Sequence, residues 1–213
     1  MSFKKNKYKV LKQAVTKELA QFIYTYFLNK RRVARFFFDQ RWINPFAEEW
    51  GTWSDQQIPN TYSHYCDIAM DTLLQGLHKK MERETALKLQ PAYSYARIYK
   101  TGDVLHRHKD RYSCEVSTTL NLGGDPWPIY LEPSGKTGMA GIKVDLDQGD
   151  MLIYAGCEVE HWRDAFPGKD CGQVFLHYND KTKKTAKDNL YDQRPFLGLP
   201  AWFKGFKLPP QKK

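Results

Sequence analysis

The sequence predicts a mainly β protein with flanking helices, an α+β chain that forms one domain. Two patterns support this prediction. Apolar residues recur with a helical period before Pro91, and beyond it the period changes from about 3.6 to about 2. Turn residues divide the second region into many short segments. Short strands at this spacing are typical of an all-β sandwich or barrel.

Two amphipathic helices are expected in the first region. The first runs from Thr16, its expected N-cap, to about residue 32, with basic residues 30–32 in the last turn. The second runs from Tyr62 to about residue 84. Because apolar stripes usually mark a core-facing surface, both helices are interpreted as a buttress for the sheet. The two stripes are Leu19, Phe22, Ile23, Tyr26 and Phe27, and Tyr62, Cys66, Met70, Leu73, Leu77 and Met81.

Seven strands are expected after Pro91. They lie at residues 93–100, 115–122, 128–132, 141–145, 150–155, 161–164 and 172–178. The sequence therefore predicts a helical buttress at residues 1–90, a β core at 91–180 and an extension at 181–213 that packs back on the core. No linker divides the chain, so one domain covers residues 1–213.

Composition limits the cellular setting. No apolar run is long enough to cross a membrane, and the basic N-terminus lacks the apolar core of a signal peptide. The four cysteines show no CxxC pairing, which favours free thiols in the cytoplasm. The net charge of +9 leaves an anionic partner such as nucleic acid open. Much of that excess lies in terminal segments, however, where charge runs are usually solvated.

Two histidines and one carboxylate carry the chemistry. His108 and Asp110 are expected at the start of one strand, where side chains at i and i+2 share a face and can bind one ion. His161 begins another strand just after Gly-Asp-Met-Leu-Ile-Tyr at residues 149–154, and antiparallel strands can bring it alongside. Two imidazoles and a carboxylate form the facial triad of non-haem Fe(II) sites, which leaves other coordination positions open.

The stretch Tyr99-x-x-Gly-x-x-Leu-x-x-His108-x-Asp110, followed by residues 149–154 and His161, resembles the 2-oxoglutarate/Fe(II)-dependent dioxygenases. The closest branch is the prolyl-4-hydroxylase-like one, with its compact microbial and viral members. The resemblance covers roughly residues 93–178 and implies a double-stranded β-helix of the jelly-roll or cupin type. It implies His108, Asp110 and His161 as catalytic metal ligands. The implied cofactors are Fe(II), 2-oxoglutarate and O₂, with ascorbate as a further candidate.

The residue that pairs with the C5 carboxylate of 2-oxoglutarate stays open. The family places an Arg or Lys nine to twelve residues after the distal histidine, and this chain has Asp170, Cys171, Gly172 and Gln173 there. Lys169 would share the inward row of the last strand by alternation. Arg163 lies two residues after His161 and offers a bidentate fork. Tyr99 matches a family tyrosine that faces the co-substrate, and Thr119 lies on a strand face that would line the same pocket.

The resemblance implies a hydroxylase that converts 2-oxoglutarate to succinate and CO₂. A peptidyl proline or another amino-acid side chain is the favoured substrate, so a protein or peptide is the expected partner. Two other classes stay open. A metal-binding β-barrel without turnover would explain the displaced anchor cation. A module or oxygenase acting on nucleic acid would explain the charge and the aromatic-basic tail at residues 202–207. The sequence does not indicate the oligomeric state.

Overall fold

The structure is a computed structural model that describes residues 2–44, 47–136 and 138–206. Its helices are α1 (Phe3–Asn6), α2 (Lys17–Asp39) and α3 (Ile68–Thr85). Its strands are β1 (Tyr8–Leu11), β2 (Tyr62–Tyr65), β3 (Leu89–Lys100), β4 (Leu105–His108), β5 (Val116–Gly124), β6 (Ile129–Glu132), β7 (Ile142–Val144), β8 (Met151–Ala155), β9 (Glu160–Arg163) and β10 (Asp170–Asp180). Short 3₁₀ turns lie at Tyr112–Cys114, Lys184–Gln193 and Ala201–Phe203.

The strands form two antiparallel sheets. The major sheet has the order β1-β8-β5-β10-β3-β2, and the minor sheet has the order β4-β9-β6-β7. Strands that are neighbours in a sheet are mostly distant in the chain, as in a jelly roll. The predicted mainly β core with flanking helices is therefore confirmed. The seven predicted strands correspond, with small shifts at their ends, to β3 and β5 to β10.

Helix α2 begins where the sequence predicts. The Thr16 side chain accepts a hydrogen bond from the backbone N–H of Leu19 at 3.2 Å. The helix then continues to Asp39 instead of ending near residue 32, since no glycine or proline interrupts the following turns. Phe27 and Ala34 are fully buried, which extends the core-facing surface along the helix. Phe22 lies outside that surface and is 71% exposed.

The predicted start of the second helix was wrong. Residues 62–65 form β2, which pairs with β3 along the edge of the major sheet. The chain then turns at Cys66, which has a φ of 60°, and Asp67 caps α3 by accepting from the N–H of Ala69 at 2.9 Å. Apolar residues at i and i+4 fit either state, so pairing with a distant strand decides the outcome here. None of the described helices is both long and apolar enough to pass through a bilayer.

Residues 181–206 lie against α3 and the β2 end of the major sheet. Arg194 forms a buried ion pair with Asp71 of α3 at 2.9 Å, and the same carboxylate accepts from the N–H of Gly198 at 2.8 Å. Three consecutive residues, Tyr191 to Gln193, have φ values of 50°, 53° and 65°. Within this turn, Asp192 accepts a hydrogen bond from the hydroxyl of Tyr65. The remaining part of the predicted extension, residues 207–213, lies outside the described residues.

Candidate metal centre and its pocket

His108, Asp110 and His161 converge on one point between the two sheets. Strands β4 and β9 pair directly, with His108 opposite His161. Asp110 Oδ1 lies 3.5 Å from His161 Nε2 and 3.7 Å from His108 Nε2. Ligand atoms about 2.1 Å from one ion at right angles lie about 3 Å apart, so these three atoms need only a small inward movement to share an ion. The structure thus brings the three predicted residues together.

One detail of this arrangement differs from the sequence prediction. His108 ends β4 instead of starting a strand, and Asp110 follows in the connecting segment. Strand β4 has only four residues, Leu-His-Arg-His, and lacks an apolar alternation. The backbone of Asp110 is nevertheless fixed, because its N–H donates to the carbonyl of Gly156 at 2.9 Å.

The backbone sets the tautomer of both histidines. His108 Nδ1 lies 2.7 Å from the carbonyl oxygen of His106, and His161 Nδ1 lies 3.1 Å from that of Val159. A carbonyl oxygen only accepts, so Nδ1 carries the proton in each ring and Nε2 keeps its lone pair. Both lone pairs are then available for a metal ion, and such backing hydrogen bonds are typical of metal-ligating histidines.

Charge at the centre also suits a divalent cation. Burial raises the pKa of Asp110, but His161, His177 and Ser117 together outweigh it and hold that pKa well below its usual range. The Ser117 hydroxyl donates to Asp110 Oδ2 at 2.7 Å, which leaves Oδ1 facing the imidazoles. Burial lowers the pKa of His108, which favours the neutral ring. Two neutral imidazoles and one carboxylate give the donor set a single negative charge.

A glycine behind the centre allows this packing. A Cβ on Gly156 would lie 2.3 Å from the Cys114 carbonyl oxygen, 2.5 Å from Asp110 Oδ2 and 2.7 Å from Ser117 Oγ. All three distances are far shorter than van der Waals contact. Any side chain at this position would therefore displace the carboxylate or the hydroxyl that orients it.

Gly156→Ala is expected to weaken Ni(II) binding at least about tenfold and to lower stability by about 1–3 kcal/mol, because the added methyl group overpacks the site. Calorimetric titration with Ni(II) and thermal unfolding measure the two effects. Gly76→Ala in α3 is the matched control, since a Cβ there meets nothing within 4 Å. The control should be slightly more stable than the parent and bind Ni(II) equally well. Parent-like Ni(II) affinity in Gly156→Ala would contradict this steric explanation.

A cavity of about 390 Å³ opens onto the metal centre from both sheets. Tyr99, Leu105 and Ile129 line its inner end. Tyr99 packs edge-on against the indole of Trp127. Arg163, which is 1% exposed, packs against the same indole. The Tyr99 hydroxyl and Arg163 Nε are buried without a hydrogen-bond partner. Such orphaned donors are costly unless a ligand satisfies them.

Arg163 lacks a counter-ion. Its guanidinium donates to the Trp127 carbonyl and, at 3.4 Å, to the Thr119 hydroxyl, and no carboxylate pairs with it in the described part of the chain. Burial lowers the pKa of Arg163. Thr119 in turn donates to Gln173 Oε1 at 2.9 Å. Arg163 and Thr119 are buried behind Tyr99 and Trp127, outside the residues that line the cavity. A buried cation of this kind is suited to bind an anion.

Lys169 is placed differently from its sequence expectation. Its side chain is exposed and lies outside the residues that line the cavity. Strand β10 begins only at Asp170, so the alternation that buries Cys171 and Gln173 does not extend back to Lys169. The expected inward position of Lys169 was therefore wrong.

Sequence reasoning missed several cavity residues. The odd-numbered row of β3 faces the cavity and includes Arg97, which is 1% exposed. Arg97 precedes Tyr99 by two residues, so strand alternation would have placed both side chains on the same face. Gln57, from the loop before β2, contacts residues of both sheets. Its Nε2 lies 3.3 Å from His108 Nε2, and its Oε1 accepts a hydrogen bond from Arg97 at 3.2 Å. Cys114 and His177 line the opposite end of the cavity.

No protein-family model matches the chain, and no curated protein matches its sequence. Solved structures do match it. A prolyl-4-hydroxylase of Pseudomonas putida is similar over 83% of this chain and 94% of its own, with a TM-score of 0.58 and 15% identity. HygX of Streptomyces hygroscopicus, solved with nickel, 2-oxoglutarate and hygromycin B, covers 83% of this chain and 84% of its own, with a TM-score of 0.59 and 14% identity.

A third structure is a prolyl hydroxylase from Trichoplax adhaerens, solved with a peptide fragment of the hypoxia inducible factor oxygen degradation domain. It covers 84% of this chain and 86% of its own, with a TM-score of 0.58 and 13% identity. Likeness at this level of identity shows the fold. The chain has the double-stranded β-helix fold of 2-oxoglutarate/Fe(II) oxygenases, prolyl hydroxylases among them, as the sequence resemblance predicted.

Proposed function

We propose that the chain is a 2-oxoglutarate- and Fe(II)-dependent dioxygenase that hydroxylates a C–H bond and releases succinate and CO₂. The convergence of His108, Asp110 and His161, with two oriented lone pairs and one carboxylate oxygen, carries this proposal. The adjacent buried guanidinium of Arg163 supplies a place for a dicarboxylate co-substrate. The fold neighbour HygX was solved with nickel and 2-oxoglutarate, which supports the same pair of ligands here.

His108, Asp110 and His161 would hold Fe(II). Three protein ligands would leave the ion accessible to 2-oxoglutarate and O₂. Iron, when bound, supplies the redox chemistry that couples oxidative decarboxylation of 2-oxoglutarate to oxidation of the substrate C–H bond. Ser117 keeps the carboxylate of Asp110 oriented, and the two backbone carbonyls keep both imidazoles in the metal-binding tautomer.

Arg163 is the residue that we propose for the C5 carboxylate. It follows His161 by two positions on β9, and both side chains are buried on the same face. Positions i and i+2 of a strand lie roughly 6.5–7 Å apart, which suits a five-carbon diacid held at both ends. The free hydroxyl of Tyr99 is a second donor for this carboxylate, and Thr119 orients the guanidinium. Lys169 is a weaker candidate, because its side chain is exposed to solvent.

The inner wall of the cavity favours this pairing. Leu105 and Ile129 are almost fully buried and place apolar groups around the path between the metal centre and Tyr99. Exclusion of water strengthens a guanidinium–carboxylate contact, because the local dielectric is low. The same walls would hold the carbon chain of the co-substrate in one orientation.

We further propose a peptidyl prolyl or another amino-acid side chain as the group that is hydroxylated. The neighbouring Trichoplax enzyme was solved with a peptide, which supports this proposal, whereas HygX was solved with hygromycin B, so this fold also binds small molecules. Ascorbate would serve to keep iron in its ferrous state.

The proposed function is tested by anaerobic titration of the protein with Fe(II) and 2-oxoglutarate. A weak visible charge-transfer band should appear, and succinate should form once air is admitted. 2-Oxobutyrate, a keto acid without the distal carboxylate, should bind at least about tenfold more weakly, since it leaves Arg163 unpaired. Metal binding without any 2-oxoglutarate binding would instead indicate a metal-binding barrel without turnover, and the proposal would fail.

A further inference from the structure

The open end of the cavity carries more positive charge than the proposed co-substrate requires. Lys109 and Arg111 line its exposed side and Arg97 lies deeper, between Tyr95 and Tyr99, together with two carboxylates, Asp55 and Asp110. Asp110 is a metal ligand in the proposed function. Among the described lining residues, Asp55 is then the one carboxylate left to face three cations. The excess positive charge marks this end as a site for an anionic group.

Arg97 is the buried member of this group. Its guanidinium lies over the rings of Tyr95 and Tyr99, 5.1 Å and 5.4 Å from their centroids. It is paired with the carboxylate of Asp55, and its Nε is buried without a partner. Both Asp55 and Gln57, which also contacts Arg97, come from the loop before β2. Hydrogen-bonding capacity therefore remains on a guanidinium that faces the metal centre.

Metal binding would loosen one partner of Arg97. Gln57 Nε2 lies 3.3 Å from His108 Nε2, the atom whose lone pair faces the metal position. A lone pair that ligates a metal cannot also accept a hydrogen bond. Once His108 binds a metal, Gln57 loses this contact, and its Oε1 still accepts from Arg97 Nη1 at 3.2 Å. A substrate carboxylate then competes for Arg97 Nη1 with a neutral amide, which is the weaker acceptor.

Arg111 provides a second guanidinium at the same end. Its Cζ lies 5.0 Å from the centroid of Tyr93, and its Nη2 donates to the Tyr65 hydroxyl at 3.3 Å. No carboxylate of the described residues forms an ion pair with Arg111. Glu115, four residues later, is already paired with Lys183. Arg97 and Arg111 therefore lie over neighbouring rings of one β3 row, and both line the cavity.

Aromatic side chains form the remaining wall. Tyr65 and Tyr93 stack with centroids 4.6 Å apart, and Tyr95 lies 6.3 Å from Phe175. The whole cavity measures about 390 Å³, and 2-oxoglutarate takes the inner part of it in the proposed function. The space left between the rings suits a group the size of an amino acid. An apolar body with one anionic group matches both the rings and the arginines.

We propose that this end of the cavity binds the primary substrate through a carboxylate, which Arg97 and Arg111 hold while the tyrosine wall contacts its apolar part. This inference rests on the proposed function. The substrate is then a small carboxylic acid of amino-acid size, free or at a peptide end. In this proposal the carboxylate is distinct from those of 2-oxoglutarate, because Arg97 is held beside Asp55 and Tyr95, whereas Arg163 packs against Trp127.

The test uses protein loaded with Ni(II) and 2-oxoglutarate, in which turnover does not interfere. Calorimetry is performed with N-acetyl proline, N-acetyl leucine and N-acetyl phenylalanine, each as the free acid and as the primary amide. At least one acid should bind at least about tenfold more tightly than its amide. Adenosine monophosphate and adenosine form a second pair, which separates a phosphate site from a carboxylate site.

Two variants locate the site. Arg111→Gln, on the exposed rim, should weaken binding of the preferred acid about tenfold and leave that of its amide unchanged. Arg97→Lys, which keeps the charge but loses the fork, should do the same if it folds. Arg83→Gln on α3 is the matched control for the loss of charge, because its side chain is 69% exposed and outside the cavity. That control should behave as the parent.

The two proposals fail separately in this design. Calorimetry of Ni(II) and 2-oxoglutarate comes first on the same sample, and absence of that complex would overturn the proposed function. A complex that forms but binds no acid more tightly than its amide would overturn only the carboxylate site. Preference for the phosphate over every carboxylate, or unchanged acid binding in Arg111→Gln, would overturn it as well.

Discussion

Alanine in place of His161 is expected to abolish high-affinity metal binding. The side chain is 2% exposed, its Nδ1 is fixed by a backbone carbonyl, and its Nε2 faces Asp110 Oδ1 at 3.5 Å. Its removal leaves two ligands at the open side of the centre. Loss of supporting groups around a metal site typically costs 10–100-fold in affinity, and loss of a ligand itself is expected to exceed about a hundredfold. Anaerobic calorimetry with Fe(II), or with Ni(II) as a stable substitute, measures the change.

His106→Ala is the matched control for this variant. His106 is exposed, lies outside the cavity and shares β4 with His108. Its contribution to the centre is the backbone carbonyl that orients His108, which alanine retains. Metal affinity in the control should stay within about twofold of the parent. Equal loss in both variants would mean that the strand, and not the ligand, determines binding.

Arg163→Met is expected to weaken 2-oxoglutarate binding by about two orders of magnitude, because truncating one side of a buried charge pair costs about 2–5 kcal/mol. Methionine fills a similar volume and leaves no unpaired charge when the site is empty, so the fold should be retained. Metal affinity should be unchanged, since Arg163 does not reach the metal ligands through any contact that the structure shows. Calorimetric titration of the metal-free protein with Ni(II), and then of the Ni(II)-loaded protein with 2-oxoglutarate, measures the two dissociation constants.

Lys169→Met completes the comparison, because sequence alone left Lys169 and Arg163 as alternatives. The exposed Lys169 should be dispensable, with 2-oxoglutarate affinity within about twofold of the parent. Arg163→Met should also lose the preference for 2-oxoglutarate over 2-oxobutyrate. If Lys169→Met loses binding and Arg163→Met keeps it, the proposed anchor is wrong.

Local patterns predicted the long elements of the fold. Strands β3, β5 and β10 are buried on both faces along most of their length, so apolar, aromatic and β-branched residues persist over many positions between turn residues. The Thr16 cap marks the start of α2. Two short strands, β2 and β4, gave no such signal. Strand β4 has four mostly polar residues, and β2 has apolar spacing that also fits a helix. Pairing with distant strands decides both, and a local period does not encode that pairing.

Some residues of the candidate site could be predicted from the sequence, and others could not. Spacing and strand flanks predicted that His108, Asp110 and His161 converge, because a metal site requires particular residue types at particular distances. Arg97 was missed because arginine is rarely buried, so it is normally interpreted as a surface residue. Gln57 comes from a loop whose path depends on the sheet beneath it. Nothing in the sequence around such a residue indicates that it will reach a histidine fifty positions away.

The turn at Tyr191 to Gln193 places the terminal segment at the opening of the cavity. Three non-glycine residues with left-handed backbone cost about 1–2 kcal/mol each, and the buried ion pair of Arg194 with Asp71 helps to hold them in place. Through Asp192 and Tyr65, this terminal segment shapes the rim of the opening without belonging to the β-helix. Chimeras that exchange the segment but keep Arg194 should therefore alter which molecules are admitted, while the two sheets keep their fold.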